Sequence, residues 1–270
     1  MKKKVLFTAV VTLLLVTFGI SAFMVGKYLI EGKQQEDRFE ELSNIAAGTQ
    51  TETTEAEAVQ SETSAPTDET AEPTAPTEPG ILPGYKEIYE MNDHMVGWIK
   101  MEGTKMDYPV MQTPNDPNYY LYRSFDKKES ARGSIYAREV CDINEPSDNI
   151  TIFGHNMADG SMFACLGNYT NKKAWENNSL IFFDTLTEYH TYKIFAVFKT
   201  SANIGQGFSY HQFVDAENEA EFNEFVSTCK KLAFYDTGIT PVYGDKLICL
   251  STCEYTLDNG RLVVAAVRIT

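Results

Sequence analysis

Cys253 and Arg261 lie on either side of a predicted hairpin turn near the end of the chain. The segment LSTC ends one apolar run, Asn259-Gly260 is a strong turn signal, and RLVV opens the next apolar run. Such a hairpin puts the cysteine and the arginine side by side. A thiolate is a good nucleophile, and arginine keeps its charge and donates hydrogen bonds to a carbonyl or an oxyanion. The pattern favours covalent catalysis, and the alternative is an arginine simply solvated beside a turn.

The other cysteines fit core positions better than catalytic ones. Cys165, Cys229 and Cys249 have apolar neighbours and are expected to be buried. Cys141 follows a loop-like context, so we expect it to be partly exposed and assign it no role. The total of five cysteines leaves at least one unpaired thiol in an exported protein. No CxxC pair or Cys/His cluster of zinc spacing occurs, so the sequence predicts no metal and no cofactor.

His155 is the histidine best placed to assist a nucleophile. It ends the strand-like run NITIFGH, after a glycine that permits a tight backbone path, and a polar turn follows. His94, His190 and His211 lie in helix-like, hairpin-like and loop-like segments, and a structural role is expected for each. A histidine at a strand end would be ordinary on its own.

The elements around these residues are mainly short strands. Seven runs rich in β-branched and aromatic residues, separated by Asn/Asp/Gly turns, indicate an all-β barrel or sandwich; they are MDYPVMQ, GSIYAREV, NITIFGH, SLIFFDTL, TYKIFAVFKT, DKLICLSTC and RLVVAAVRI. The segment from Tyr85 to Trp98 begins with a helical pattern. A later helix is predicted where Asn218 can cap and Glu221 follows three residues on.

The N-terminal third has a different composition. Residues 1–30 begin with Met1 and three lysines, followed by an uncharged apolar run, Val5 to Val25, long enough to cross a bilayer. A retained anchor is favoured over a cleaved signal, with the N-terminus inside and the body outside. Residues 31–80 are expected to form a juxtamembrane helix, to about Ala47, and a disordered spacer rich in Thr, Glu and Pro from Thr49. The folded catalytic domain is predicted to span residues 81–270.

The acidity of the chain excludes one class of partner. Its formal net charge is −15 and its pI is about 4.7. Electrostatic binding of nucleic acid needs a basic footprint, so none is expected.

The ordered motifs TIFGHNM, LSTC and NGRLVV resemble the three catalytic blocks of sortases, the cysteine transpeptidases of Gram-positive surfaces. VGWIKMEGTKMDYPVMQ, YYLYRSF, GSIYA and DGSMFACL further resemble class B sortases. The resemblance spans residues 81–270 and implies a mainly β fold: an eight-stranded closed β-barrel with an N-terminal helix and a helix inserted before the cysteine strand.

The resemblance also implies the roles of site residues. Cys253 would attack a sorting-signal carbonyl, His155 would act as general acid and then base, and Arg261 would stabilise the oxyanion. No orienting Asp or Asn is required by this scheme. Ser251, Met111 and Tyr210 would line the groove, although core or loop packing explains Met111 and Tyr210 equally well.

The implied substrate is a C-terminal sorting signal, NPxT-like or PxTG-like, cleaved after threonine. The implied acceptor is an amine of a cell-wall precursor or of a pilin lysine. Two positions depart from the family pattern: Cys249 stands where threonine is frequent, and Phe153 replaces a tyrosine before Gly-His.

Two other functions remain open on the sequence. A membrane-anchored cysteine protease would use the same nucleophile and hydrolyse the thioester, but neither a QAC-type nor a CGSCW-type signature is present. A non-catalytic surface binding module would leave Cys253 inert.

Overall fold

The computed structural model describes residues 2–60, 80–203 and 205–270. The chain divides into two units, Met1–Glu41 and Leu42–Thr270. The first helix, α1, covers Lys2–Gln60. It therefore continues beyond Thr49, where the sequence predicts the disordered spacer to begin. Residues 49–60 contain Glu, Ala and Gln, which favour helices, and no proline, whereas the remainder of the predicted spacer, residues 61–79, lies outside the described residues.

The N-terminal unit carries the apolar run of the chain. Within the described residues, one helical stretch, Leu6–Gly48, is long and apolar enough to cross a membrane, and its most apolar window has a mean hydropathy of 2.3. The large apolar side chains of its first part, up to Ile30, are exposed; examples are Leu14, Phe18 and Phe23. A helix that is apolar on all sides is typical of a membrane span.

The second unit is built on a closed β-barrel with strand order β1-β2-β3-β4-β7-β8-β6-β5. This confirms the predicted fold class and decides between barrel and sandwich. The strands are β1 Met95–Lys100, β2 Asp107–Met111, β3 Ile135–Ala137, β4 Asn149–Phe153, β5 Leu180–Thr185, β6 Thr191–Ser201, β7 Leu247–Glu254 and β8 Gly260–Arg268. The helices are α2 Pro83–Met91, α3 Lys172–Asn177 and α4 Glu219–Leu232, with short 3₁₀ helices at Tyr119–Tyr122, Ala164–Thr170 and Tyr210–Gln212.

All seven strand-like runs identified in the sequence form strands, and β1 is an eighth strand outside those runs. It lies within the segment that begins helically: α2 ends at Met91, and Trp98 is already in β1. The strand pairs with both β2 and β5 and so closes the barrel.

Strand β7 lies between two strands that run in different directions relative to it. It pairs in parallel with β4 and antiparallel with β8. Six of its eight residues are buried, as expected for a strand covered on both faces. A parallel pair needs a long crossover connection, and the chain between β4 and β7 supplies it with β5, β6 and α4.

Helix α4 is the insertion that the sequence predicts before the cysteine strand. The side chain of Asn218 accepts hydrogen bonds from the backbone N–H groups of Ala220 and Glu221. Glu221 in turn accepts from the backbone N–H of Glu217. The cap thus forms where Asn218 predicts it, and the buried face of α4 includes Cys229.

Four cysteines are buried, among them Cys141. Cys165, Cys229 and Cys249 agree with the sequence, but the expectation of partial exposure for Cys141 is wrong. Cys141 is 4% exposed because its loop folds back on β4, where its thiol donates to the Asn149 carbonyl at 3.6 Å. Burial raises the pKa of all four thiols, so they remain protonated at neutral pH.

Candidate active site

Three neighbouring strands bring His155, Cys253 and Arg261 into one row. The last parallel pair of β4 and β7 is Phe153 opposite Ser251; His155 and Cys253 each follow this pair by two residues, and both line the same cleft. On the other side of β7, Cys253 pairs with Arg261 in the antiparallel ladder. Neighbouring strands lie about 4.8 Å apart, and residues at the same register point to the same face. The cysteine is therefore the middle member of the row.

The chain holds this register beyond the end of β4. The backbone N–H of Gly154 donates to the Ser251 carbonyl at 3.1 Å, and the Thr252 hydroxyl donates to the Gly154 carbonyl at 2.8 Å. Gly154 is needed here for space. A Cβ atom would lie 2.5 Å from Ile135 and 2.7 Å from the Phe163 ring. The glycine of the GH motif thus lets the His155 segment lie against the barrel.

The imidazole of His155 is oriented by its surroundings. Its Nε2 lies 2.8 Å from the carbonyl oxygen of Leu121, and a carbonyl can only accept, so Nε2 carries a proton in this arrangement. The ring also lies beside Tyr122, with centroids 5.8 Å apart. The chain turns after the histidine, where the Phe163 N–H donates to the His155 carbonyl at 2.9 Å. Both the ring and the backbone of His155 are therefore restrained.

Arg261 follows the turn that connects β7 and β8. Asn259 takes a left-handed conformation with φ of 48°, which asparagine tolerates better than most residues. Nη1 of Arg261 donates to the Gly260 carbonyl at 2.9 Å and to the Asn259 carbonyl at 3.4 Å. Within the described part of the chain these bonds use only one of the three guanidinium nitrogens. The other donors can serve a ligand in the cleft.

The row opens into a cleft of about 400 Å³. The cysteine is the one partly exposed thiol among the five. The lining combines the three residues of the row with polar, aromatic and charged groups from several elements: Pro117, Asn118, Leu121, Ser134, Tyr136, Arg138, Glu139, Phe153, Gly154, His155, His211, Ser251, Thr252, Cys253 and Arg261.

The predicted groove residues fall into three different environments. Ser251 lines the cleft and is 1% exposed. Tyr210 is buried behind it, outside the lining, and the two hydroxyl oxygens lie 2.5 Å apart. Met111 is fully buried at the end of β2, away from the cleft lining, with Met95 and Tyr136 as its strand partners. The structure therefore does not bring Met111 to the groove, and core packing accounts for it.

The cleft lining also contains Arg138, Glu139 and His211, for which the sequence predicts no role in the site. Arg138 lies beside Glu139, with 3.9 Å between Nε and the carboxylate, and its Nη1 donates to the His211 carbonyl. Burial, followed by the charges of Arg138 and Arg261, lowers the pKa of His211, so this ring is neutral at pH 7. His211 therefore lines the cleft, although its sequence context predicts only a structural role. Its contact with Arg138, the residue after β3, spans 73 residues, so no local pattern reveals it.

Phe153, one of the two departures from the family pattern, has an aromatic neighbour in the cleft. The Tyr136 ring lies 5.4 Å from it, on the adjacent strand β3. Burial raises the pKa of Tyr136 to about 12, although the charge of Arg261 acts in the opposite direction. Tyr136 therefore carries a protonated hydroxyl beside the position where the family pattern has a tyrosine.

Comparison with known proteins agrees with this architecture. A sortase domain matches residues 99–269. The chain is 31% identical to sortase B of Listeria monocytogenes over 189 residues, which is 68% of this chain and 74% of that protein. It is 27% identical to sortase B of Staphylococcus aureus over 188 residues, 69% of this chain and 75% of that protein.

A solved structure extends the comparison to the fold. The Staphylococcus aureus sortase B–substrate complex superimposes with a TM-score of 0.71 at 24% identity, covering 89% of this chain and 99% of that one. The family match covers more than half of the sequence. The chain therefore belongs to the sortases and is a cysteine transpeptidase of class B.

Proposed function

We propose that this chain cleaves a C-terminal sorting signal at Cys253 and transfers the acyl group to an amine at the cell surface. The observation that carries the proposal is that His155, Cys253 and Arg261 together line a cleft of about 400 Å³, with Cys253 and Arg261 paired across β7 and β8. The central residue is the only one of the five cysteines that is not buried. A nucleophile flanked by an acid–base group and a fixed cation is what acyl transfer needs.

In the first step the Cys253 thiolate attacks the carbonyl carbon of the threonine in the signal. The electron pair moves onto the carbonyl oxygen, and Arg261 stabilises this oxyanion with N–H donors that its hairpin bonds leave available. The oxyanion then collapses and the C–N bond breaks. The leaving amine takes a proton from the imidazolium of His155, and a thioester to Cys253 remains.

In the second step an acceptor amine attacks the thioester. It gives a proton to His155, which now acts as the base, and Arg261 again stabilises the oxyanion. The C–S bond breaks and the thiolate of Cys253 is restored. Atoms and charges balance over the cycle, so no redox partner is needed.

We infer that the sorting signal is NPxT-like or PxTG-like and that a cell-wall precursor or a pilin lysine supplies the amine. Support comes from the similarity to class B sortases, one of which was solved as a substrate complex. Ser251 in the cleft lining is the groove residue that we retain, with Tyr210 acting through it.

The composition of the N-terminal unit supports a location of this protein at the membrane. Its candidate span and the three lysines that precede it fit a single-pass anchor with a cytoplasmic N-terminus and an extracellular barrel. Protease added to intact cells is expected to digest the barrel and to leave an N-terminal fragment in the membrane.

The product formed with and without an amine separates a transpeptidase from a protease. The full chain in detergent is incubated with NPxT-like and PxTG-like peptides, alone or with triglycine or a lysine amine. A transpeptidase gives the amide product when the amine is present, identified by its mass, and far less hydrolysis. Equal hydrolysis in both arms would instead indicate a cysteine protease.

Two cysteine variants test the binding-module alternative. Cys253→Ala is expected to abolish product formation, whereas Cys249→Ala, on the same strand but fully buried, keeps it. Full transfer activity in Cys253→Ala and in Arg261→Ala would refute the mechanism. Binding of the peptides without product in the unmodified chain would favour a non-catalytic module.

A further inference from the structure

Asn156 connects the histidine segment to the cysteine strand. Its side-chain Nδ2 donates to the backbone carbonyl of Cys253 at 3.0 Å. Its own carbonyl accepts from the Tyr255 hydroxyl at 3.3 Å, and it forms an isolated antiparallel bridge with Met162. The residue next to His155 is thus bonded to the residue that we propose as nucleophile.

This bond lies where the parallel backbone ladder has ended. The ladder of β4 and β7 stops at Phe153, and the backbone bond from Gly154 follows it. Beyond that point, in the described part of the chain, the bonds across this seam come from side chains: the Thr252 hydroxyl to Gly154, the Asn156 amide to Cys253 and the Tyr255 hydroxyl to Asn156. The amide therefore replaces a ladder hydrogen bond at the level of the proposed catalytic row.

We infer that Asn156 is a positioning residue, which fixes the backbone of Cys253 relative to His155 for the acyl transfer proposed above. The inference rests on that proposed function. It also adds to the mechanism, which by itself requires no orienting Asn. The hydrogen bond of the amide goes to the backbone carbonyl of Cys253, so the amide acts on the position of the backbone.

The amide N–H is the chemical group that matters. Aspartate has the same shape but only accepts hydrogen bonds when ionised, so it cannot donate to the Cys253 carbonyl and repels it. Alanine removes the bond without adding repulsion. Tyr255→Phe is a matched control because it removes the other bond from the hairpin region to Asn156 and leaves the amide in place.

The expected effect is on the rate of the chemical step and not on peptide binding. A displacement of about 1 Å between reacting groups can cost about 100-fold in rate. We expect kcat to fall at least ~10-fold in Asn156→Ala and further in Asn156→Asp, by this reasoning on geometry, with KM within ~2-fold. Tyr255→Phe should stay within ~2-fold in both.

The pH profile separates positioning from a loss of folded protein. Interacting acid and base groups titrate as a pair, so a changed separation shifts at least one limb of the kcat profile. A smaller folded fraction only scales the profile. Iodoacetamide labelling counted by intact mass provides the fold control, because four of the five thiols are buried and a folded variant takes one label.

The experiment uses the full chain in detergent with the best NPxT-like or PxTG-like peptide and triglycine. A fall in kcat with a shifted profile in both Asn156 variants supports the inference. It is overturned if both variants keep kcat within ~2-fold, if the loss appears in KM alone, or if the profile keeps its shape. An unmodified chain that forms no acyl-enzyme would refute the proposed function itself, and the inference with it.

Discussion

The hydroxyl pair of Tyr210 and Ser251 offers a quantitative test of how the cleft floor is built. The two oxygens lie 2.5 Å apart and both residues are at most 3% exposed. Tyr210→Phe leaves the buried serine hydroxyl without its partner, which costs about 1–3 kcal/mol. For a domain of this size each kcal/mol lowers the Tm by about 2–4 °C, so we expect a fall of roughly 2–12 °C.

A double-mutant cycle isolates the contribution of the bond. Tyr210→Phe and Ser251→Ala each break the same contact, so the double variant should cost about 1 kcal/mol less than the two single changes together. The two tryptophans of the chain, Trp98 and Trp175, both belong to the barrel unit, so their fluorescence follows its thermal unfolding. Tyr192→Phe is the matched control.

Tyr192 is as deeply buried as Tyr210, and among the described residues its hydroxyl has no hydrogen-bond partner. The control should therefore change Tm by less than about 2 °C, which is below ~1 kcal/mol at this size. Strict additivity in the cycle, or an equal loss in Tyr192→Phe, would show that the Tyr210–Ser251 bond does not support the cleft floor.

Three further perturbations address the row and its hairpin. Arg261→Gln should lower kcat by about 100- to 1000-fold, the usual loss for an oxyanion donor, and Arg261→Lys by less; equal kcat in all three proteins would refute the role. Gly154→Ala should lower Tm and slow acyl transfer, since its Cβ would lie 2.7 Å from the Phe163 ring, and an unchanged Tm would contradict that contact. Although burial acts to raise the pKa of Glu254, hydrogen bonds from Lys199 and Thr256 hold it at about 2, below its usual 4.5. Ionised Glu254 therefore stabilises the folded state above pH 4.5, and this contribution is lost as the pH falls towards 2. Glu254→Gln should flatten the fall of Tm in that range. An identical fall in both proteins would argue against the ion pair.

Local chemistry is what made part of the site predictable. Cys253 and Arg261 belong to one hairpin, so the turn signal at Asn259-Gly260 placed them together before any fold was considered. His155 needed more: its place beside Cys253 in the cleft depends on the parallel pairing of β4 and β7, and the family resemblance supplied the link. The strands were visible because their β-branched and aromatic runs are bounded by turns.

The contacts that escaped prediction join residues far apart in sequence. Asn156 reaches the Cys253 carbonyl across 97 residues, and Tyr210 reaches Ser251 across 41. No period or turn signal encodes such pairs. Met111 shows the reverse case: an apolar residue in a strand suits a groove or a core equally well, and only the closed barrel puts it in the core.

Burial of Cys141 has a similar cause. Its surroundings in sequence are polar, but the segment folds onto β4 and its thiol bonds to the Asn149 carbonyl. Helix α1 continues to Gln60, into the tract whose composition predicts a spacer, and the prolines of that tract begin only at Pro66.

The central claim is that a thiol held between an imidazole and a guanidinium forms a thioester with the sorting signal. Intact mass spectrometry of the full chain, quenched in acid during turnover without an amine, tests it most directly. We predict one adduct with the mass of the peptide up to its threonine, mapped to Cys253, and much less of it in His155→Ala and Arg261→Ala. An adduct on another residue, or an equal amount in all three proteins, would contradict the account.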